Sequence, residues 1–108
     1  SPYAAAKWGV VGFTKTIAME LGQYGIRCNA ILPGTTEGDR IRRVFEAKAQ
    51  IAGKLMHEIK AASLANASIK EMIQPEQLAD MMLLLASPRG RTISGQAISI
   101  DSDQQALV

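Results

Sequence analysis

The stretch SPYAAAKWGVVGFTKTIAMELGQYGIRCNAILPG, residues 1–34, decides the fold. Its first two thirds carry apolar residues at spacings of three and four, which predicts a helix over 3–21. Two glycines after that pattern indicate where the helix ends. Alternating residues over 26–32, closed by Pro33-Gly34, predict a short strand. A helix joined to a strand by a short glycine-bearing turn is one step of an α/β fold.

Tyr3 and Lys7 stand four residues apart at the start of the predicted helix. That spacing places a phenol and an ammonium group on one helix face. A free tyrosine is a poor base at neutral pH because its ordinary pKa is about 10, and a neighbouring cation favours the phenolate. The pair therefore has the chemistry of a proton-transfer site. A surface tyrosine packed on a lysine stem is the purely structural alternative.

The rest of the sequence predicts a helical segment and then a second helix–strand step. Helical spacing over 39–62, interrupted at Gly53, predicts one long helix or two shorter ones. Pro75 predicts a helix start and Pro88 a helix end, and a last strand is expected over 97–100. Two strands alone make no stable parallel sheet. The residues therefore predict half of a larger α/β unit, whose helices leave apolar surface uncovered.

Composition and charge are those of an ordinary folded protein of one small domain. The 108 residues are 47% hydrophobic and 20% charged, and the net charge of +2 is too weak to argue for nucleic-acid or membrane binding. The single cysteine, Cys28, is expected as a small buried thiol in the first strand. A lone cysteine without a signal-peptide pattern fits a cytoplasmic protein. No metal-ligand cluster is expected.

Three segments together resemble the C-terminal half of the short-chain dehydrogenase/reductase family, from its catalytic Tyr-x-x-x-Lys onward. They are residues 1–34, PEQLADMMLLLAS at 75–87 and ISGQAISID at 93–101. The resemblance implies an α/β fold, the C-terminal half of a doubly wound Rossmann-type parallel sheet. Residues 1–108 would be the C-terminal part of a single Rossmann-type dehydrogenase domain, and residues 35–68 its variable, helical substrate-binding insertion.

The same resemblance implies an NAD(P)-dependent oxidoreductase that interconverts an alcohol and a ketone or aldehyde by hydride transfer. Tyr3 matches the family's catalytic tyrosine, the proton donor or acceptor, and Lys7 matches the lysine that supports it and hydrogen-bonds the nicotinamide ribose. NAD or NADP is the implied cofactor, although the glycine-rich turn that holds its phosphates has no match here. The isolated chain is therefore expected to be inactive. The alternative is an inactive, truncated chain that serves as an oligomerisation or structural module.

Further cofactor contacts are implied just after the first strand. Pro33 and Gly34 match the family's turn beside the nicotinamide. The family usually has a threonine at the position of Gly38, so Thr35 or Thr36 is expected to take over its contact. Binding beyond the carboxyl end of a strand is also what the rule for open α/β sheets expects.

The residues that follow this turn are the candidates for substrate contact. Glu37 and Arg40 match a subset of the family that has Glu-Gly-x-Arg after this turn, which implies that they face the substrate. The preferred interpretation is that Glu37 is an acidic residue at a helix start and Arg40 a surface arginine. Arg40, Arg42 and Arg43 are interpreted as a solvated helix face, with a cofactor phosphate or an acidic substrate as the alternative. The implied partners are a small carbonyl or alcohol substrate and further copies of the complete protein in a dimer or tetramer. The sequence neither identifies that substrate nor decides between NAD and NADP.

Overall fold

The computed structural model of this protein describes residues 1–104, so the last four residues of the predicted domain lie outside the described residues. Over residues 1–104 the chain forms four α-helices and two strands. In chain order they are α1 (Pro2–Leu21), β1 (Ala30–Pro33), α2 (Asp39–Ala52), α3 (Met56–Ser63), α4 (Pro75–Ala86) and β2 (Ala97–Ile100), with short 3-10 helices at Gly22–Tyr24 and Pro88–Gly90. This order is the predicted one.

Side chains near the starts of α1 and α4 satisfy backbone N–H groups there. At α1, the Ser1 hydroxyl accepts a hydrogen bond of 3.2 Å from the backbone N–H of Ala4. At α4, the Gln77 side chain accepts a bond of 2.8 Å from the backbone N–H of Gln74. Proline occupies the first turn of both helices, where its missing N–H costs nothing. Both predicted helix starts are therefore confirmed to within a residue.

Strands β1 and β2 pair in parallel, with Ala30 opposite Ala97 and Pro33 opposite Ile100. The predicted start of the first strand was wrong, because the ladder begins four residues later than expected. The Asn29 side chain explains the difference: it donates to the Ile93 carbonyl at 2.9 Å and accepts from the Gln96 N–H at 3.1 Å. Side-chain bonds thus replace ladder bonds at this point.

Cys28 consequently lies before β1 rather than inside it, and its side chain is only partly buried. Its backbone is still tied to the segment that precedes β2. The Cys28 N–H donates to the Ser94 hydroxyl at 3.2 Å, and the Gly95 N–H donates to the Cys28 carbonyl at 2.7 Å. The expectation of a buried thiol inside the strand is therefore corrected to a half-buried thiol in an anchored, extended loop.

Helices α2 and α3 form a unit with its own small core, which we call the insertion unit (residues 35–73). Gly53 ends α2 in the left-handed conformation, with φ of 64°, so the predicted break produces two helices. The core consists of buried Phe45, Leu64 and Met72, with Ile41 and Ile59 packed against them. The backbone of Ile73 exchanges two hydrogen bonds of 2.8 Å with Thr35 and Glu37, which closes the unit at its base.

The remaining elements, α1, β1, α4 and β2, form what we call the sheet unit, and much of its apolar surface is open. On α1, Trp8 is 71% and Phe13 69% exposed, and a side chain added at Gly9 or Gly12 would meet nothing within 4 Å. The accessible surface of 7744 Å² exceeds the roughly 5,800 Å² expected of a compact monomer of this mass. The predicted uncovered apolar surface is therefore confirmed.

Within residues 1–104, the helices lack the combination of length and hydropathy that a bilayer-spanning segment needs.

Candidate active site

The first turns of α1 face the carboxyl end of β1 across a cavity of about 790 Å³. Four segments line it. They are Tyr3, Ala6, Lys7 and Val10 from α1, Leu32 to Thr35 from β1 and its exit, Arg40 and Ile41 from α2, and Asp101 and Gln104 after β2. The cavity therefore lies where both parallel strands end and where the two units meet.

Helix α1 is anchored farther along its length, beyond the residues that line the cavity. Thr14 is its buried residue, and the Lys15 ammonium donates to the Gly95 carbonyl, just before β2, at 3.0 Å. The N-terminal turn of α1, which carries Tyr3 and Lys7, then extends past the end of β1. The position of the pair is thus set by the packing of the helix rather than by bonds of the pair itself.

Tyr3 and Lys7 both line the cavity. Tyr3 is 64% exposed and Lys7 is partly buried. Within residues 1–104, neither side chain takes part in a hydrogen bond or an ion pair. A phenol and an ammonium group are therefore both available to a ligand that enters between α1 and β1.

Gly34 forms part of the cavity wall because it crosses closely over the residue that follows β2. Its N–H donates to the Ile100 carbonyl at 2.9 Å. A Cβ placed on Gly34 would lie 2.7 Å from the Asp101 Cα and 2.8 Å from the Asp101 Cβ. No real side chain tolerates such contacts, so the two strand ends can cross here only because the residue is glycine.

The structure separates the two threonines and the two charged residues predicted for the site. Thr35 and Arg40 line the cavity. Thr36 instead donates its hydroxyl to the Gly34 carbonyl at 2.9 Å, and Glu37 pairs with Lys60 of α3 at 3.0 Å. The side chains of Thr36 and Glu37 are thus engaged within the protein, and the roles assigned to all of these residues remain predictions.

Asp101 and Gln104 line the cavity but were missed as candidates from the sequence. Asp101 accepts a hydrogen bond of 3.0 Å from the Asp103 N–H, within a turn where Ser102 has φ of 56°. The signal that points to Asp101 is its place directly after a parallel strand, since ligands bind outside the carboxyl ends of such strands. No comparable sequence signal marks Gln104.

The part of the chain that the structure describes contains no candidate metal site. Across residues 1–104, no group of three or more His, Cys, Asp or Glu side chains is placed to hold an ion.

The structure thus places a Tyr-x-x-x-Lys helix beside the carboxyl edge of a parallel strand pair in an α/β fold. Comparison with known proteins identifies the family that shares this fold. Residues 1–102 match the family model described as enoyl-(acyl carrier protein) reductase. Asnovolin H dehydrogenase nvfC from Aspergillus novofumigatus is 38% identical over 105 residues. The chain belongs to the short-chain dehydrogenase/reductase family.

Solved structures agree with this assignment. A short-chain dehydrogenase family protein from Francisella tularensis superposes with a TM-score of 0.85 at 26% identity, over 94% of this chain and 42% of the other. L-sorbose reductase from Gluconobacter frateurii, complexed with NADPH and L-sorbose, superposes with a TM-score of 0.84 at 25% identity, over 96% and 40%. The predicted α/β fold class, part of a Rossmann-type sheet, is confirmed.

The chain spans only part of the length of the proteins it resembles. The match to asnovolin H dehydrogenase covers 93% of this chain but 40% of the relative, and the two structures are covered to a similar extent.

Proposed function

We propose that this chain supplies the proton-transfer part of an NAD(P)-dependent enzyme that interconverts an alcohol and a ketone or aldehyde. The observation that carries the proposal is the cavity in which Tyr3 and Lys7 face Gly34 and Thr35 at the end of β1. Family membership supports it, as does the likeness to a reductase whose structure holds NADPH and a sugar substrate.

The cavity's donor set fits the nicotinamide end of such a cofactor. The Lys7 ammonium, partly buried and without a partner within residues 1–104, is suited to the ribose hydroxyls, and Thr35 offers a second hydroxyl close to Pro33 and Gly34. When bound, the nicotinamide supplies or accepts the hydride at the substrate carbon. The phosphate end needs a glycine-rich turn that these 108 residues do not contain, so we propose that catalysis requires a longer chain.

Tyr3 is proposed as the general acid and base. In the direction of reduction its hydroxyl donates a proton to the carbonyl oxygen, and in the direction of oxidation its phenolate accepts the proton of the alcohol. The Lys7 cation, one helical turn away, stabilises that phenolate electrostatically. Apolar side chains from three elements, Val10, Leu32 and Ile41, line the same cavity.

The test is Tyr3→Phe in the complete enzyme, with NAD(P)H oxidation followed by absorbance. Loss of the proton donor is expected to reduce kcat by about 10²–10⁴, while the fold persists because Tyr3 is largely exposed. Tyr24→Phe is the matched control, since Tyr24 is similarly exposed but lies in the 3-10 helix that follows α1 and does not line the cavity. Retention of activity in Tyr3→Phe would remove this tyrosine from the mechanism.

An inactive assembly module is the second candidate, and the open apolar face of α1 is the observation that favours it. The two functions differ in what the natural protein binds. A protein of about this chain's length that forms oligomers but shows no saturable NADH or NADPH binding would support the module. Saturable binding of either dinucleotide by the complete protein would support the enzyme.

A further inference from the structure

Arg40 is, with Lys7, one of two cationic cavity residues that pair with no other residue in the part of the chain that the structure describes. It lies in the first turn of α2, next to Ile41, and lines the cavity opposite Tyr3 and Lys7. Its guanidinium takes part in no hydrogen bond or ion pair within residues 1–104. Because Ile41 packs against the buried Phe45, the rotation of α2 that brings Arg40 to the cavity is fixed by the core of the insertion unit.

The carboxylates closest to Arg40 in the sequence and in the cavity are each engaged elsewhere. Glu37 pairs with Lys60 at 3.0 Å. Asp39 pairs with Arg42 at 3.6 Å, one helical turn along α2. Asp101 accepts the Asp103 N–H at 3.0 Å. The cavity thus has two unpaired cations, Lys7 and Arg40, against one carboxylate that already accepts a hydrogen bond.

We propose that Arg40 binds an anionic oxygen group, a carboxylate or a phosphate, of a ligand held in the Tyr3 cavity. The inference rests on the proposed function for its setting. A guanidinium presents a planar fork of donors that matches the two oxygens of such a group. The group belongs either to the substrate or to the cofactor's diphosphate, and the test separates these two sources.

The structure also supplies the control for this assignment. Arg43 carries the same charge on the same helix, but it lines a separate depression with Glu46, Gly53 and Lys54, away from Tyr3. Arg40→Gln and Arg43→Gln therefore remove the same charge from α2 at two places. Arg40→Lys keeps the charge and loses the fork, and it remains informative if the glutamine variant does not fold.

The first measurement is an NMR titration of the complete enzyme with inorganic pyrophosphate and with acetoacetate as separate probes. The arginine side-chain Nε–H signals report on Arg40 in the unmodified enzyme, and the backbone N–H signals of the cavity residues Gly34 and Thr35 give the dissociation constant in every variant. We expect saturable shifts at Arg40. The dissociation constant should rise about 10- to 100-fold in Arg40→Gln, the loss of one charge-assisted contact, less in Arg40→Lys, and stay unchanged in Arg43→Gln. Absence of saturable shifts at Arg40, or equal loss in both glutamine variants, would overturn the proposal.

The second measurement identifies the source of the anion. If the substrate provides it, Arg40→Gln raises KM for acetoacetate but not for methyl acetoacetate. If the cofactor provides it, the variant weakens NADPH binding, measured by fluorescence, and leaves the KM ratio of the two substrates unchanged. Anion binding at Arg40 without any turnover by the unmodified enzyme would contradict the proposed function alone, and the titration would still decide the role of Arg40.

Discussion

The insertion unit and the sheet unit bury their apolar residues to very different extents. Phe45 in the insertion unit is 5% exposed and packs with Leu64 and Met72, whereas Phe13 on α1 is 69% exposed. The cavity lies between them, with Arg40 on the closed side and Tyr3 on the open side. One wall of the site is therefore fixed by a core within this chain, while the wall that carries the proton-transfer pair still has an uncovered apolar face.

The two phenylalanines of the chain provide the most sensitive test of this contrast. Phe45→Ala removes a buried ring and is expected to lower the free energy of unfolding by about 3–5 kcal/mol. Phe13→Ala removes an exposed ring and is expected to change it by less than about 0.5 kcal/mol in the 108-residue chain. Urea unfolding measures both effects, and hydrogen exchange of α2 and α3 amides should localise the first.

Repeating Phe13→Ala in a longer natural protein shows whether the open face is covered there. If Phe13→Ala then lowers the free energy of unfolding nearly as much as Phe45→Ala, additional residues of that protein, or another copy of it, pack on α1. If Phe45→Ala and Phe13→Ala lower the free energy of unfolding of the 108-residue chain by equally small amounts, the insertion unit has no core of its own. That result would contradict the difference in burial between the two units.

How far the sequence predicts the molecule depends on whether local chemistry or tertiary packing decides each feature. Caps and prolines fix helix ends locally, so the starts of α1 and α4 and the break at Gly53 are predictable. The start of β1 is not, because the Asn29 side chain takes bonds from a segment more than 60 residues away. Long-range partners of this kind leave no periodic pattern.

The same division applies to the candidate site. Tyr3 and Lys7 can be recognised because their spacing on one helix already defines their chemistry. Glu37 and Arg40 appear equivalent in the sequence, yet Arg40 lines the cavity whereas Glu37, which precedes α2, pairs with Lys60 of α3. Both placements depend on how the insertion unit packs. The placement of Asp101 against Gly34 likewise depends on the register of two strands far apart in the chain.

Glycine substitutions test the contrast with a smaller effect. Gly34→Ala would place a Cβ 2.7 Å from the Asp101 Cα, and the required backbone shift is expected to cost about 1–3 kcal/mol. Gly9→Ala would meet nothing within 4 Å, so it is expected to stabilise the 108-residue chain by up to about 1 kcal/mol through helix propensity. Thermal unfolding monitored by circular dichroism measures both.

These two substitutions are expected to have opposite signs, and that difference is the decisive result. Stabilisation by Gly34→Ala would contradict the close crossing of the strand ends. Destabilisation by Gly9→Ala would show that α1 is covered at this point, as it would be by a neighbouring copy of the chain.

The smallest expected effect concerns an ion pair at the base of the insertion unit, between the segment that follows β1 and helix α3. Glu37 follows β1 and Lys60 lies in α3, and their charged atoms are 3.0 Å apart with the side chains 35% and 49% exposed. A double-mutant cycle with Glu37→Gln and Lys60→Met is expected to give a coupling energy of about 0.2–1 kcal/mol in low salt. In about 1 M NaCl, where the Debye length is only about 3 Å, most of it should disappear.

Asp39 and Arg42 provide the matched cycle, because their pair is longer, at 3.6 Å, and more exposed, at 84% and 64%. We expect almost no coupling there. If the Glu37–Lys60 coupling is equally small, the base of the insertion unit is held together by the backbone bonds of Ile73 to Thr35 and Glu37. The part of the insertion unit that lines the cavity would then keep its position when Glu37 is neutralised. In that case, loss of this ion pair at high salt should not change kcat in the complete enzyme.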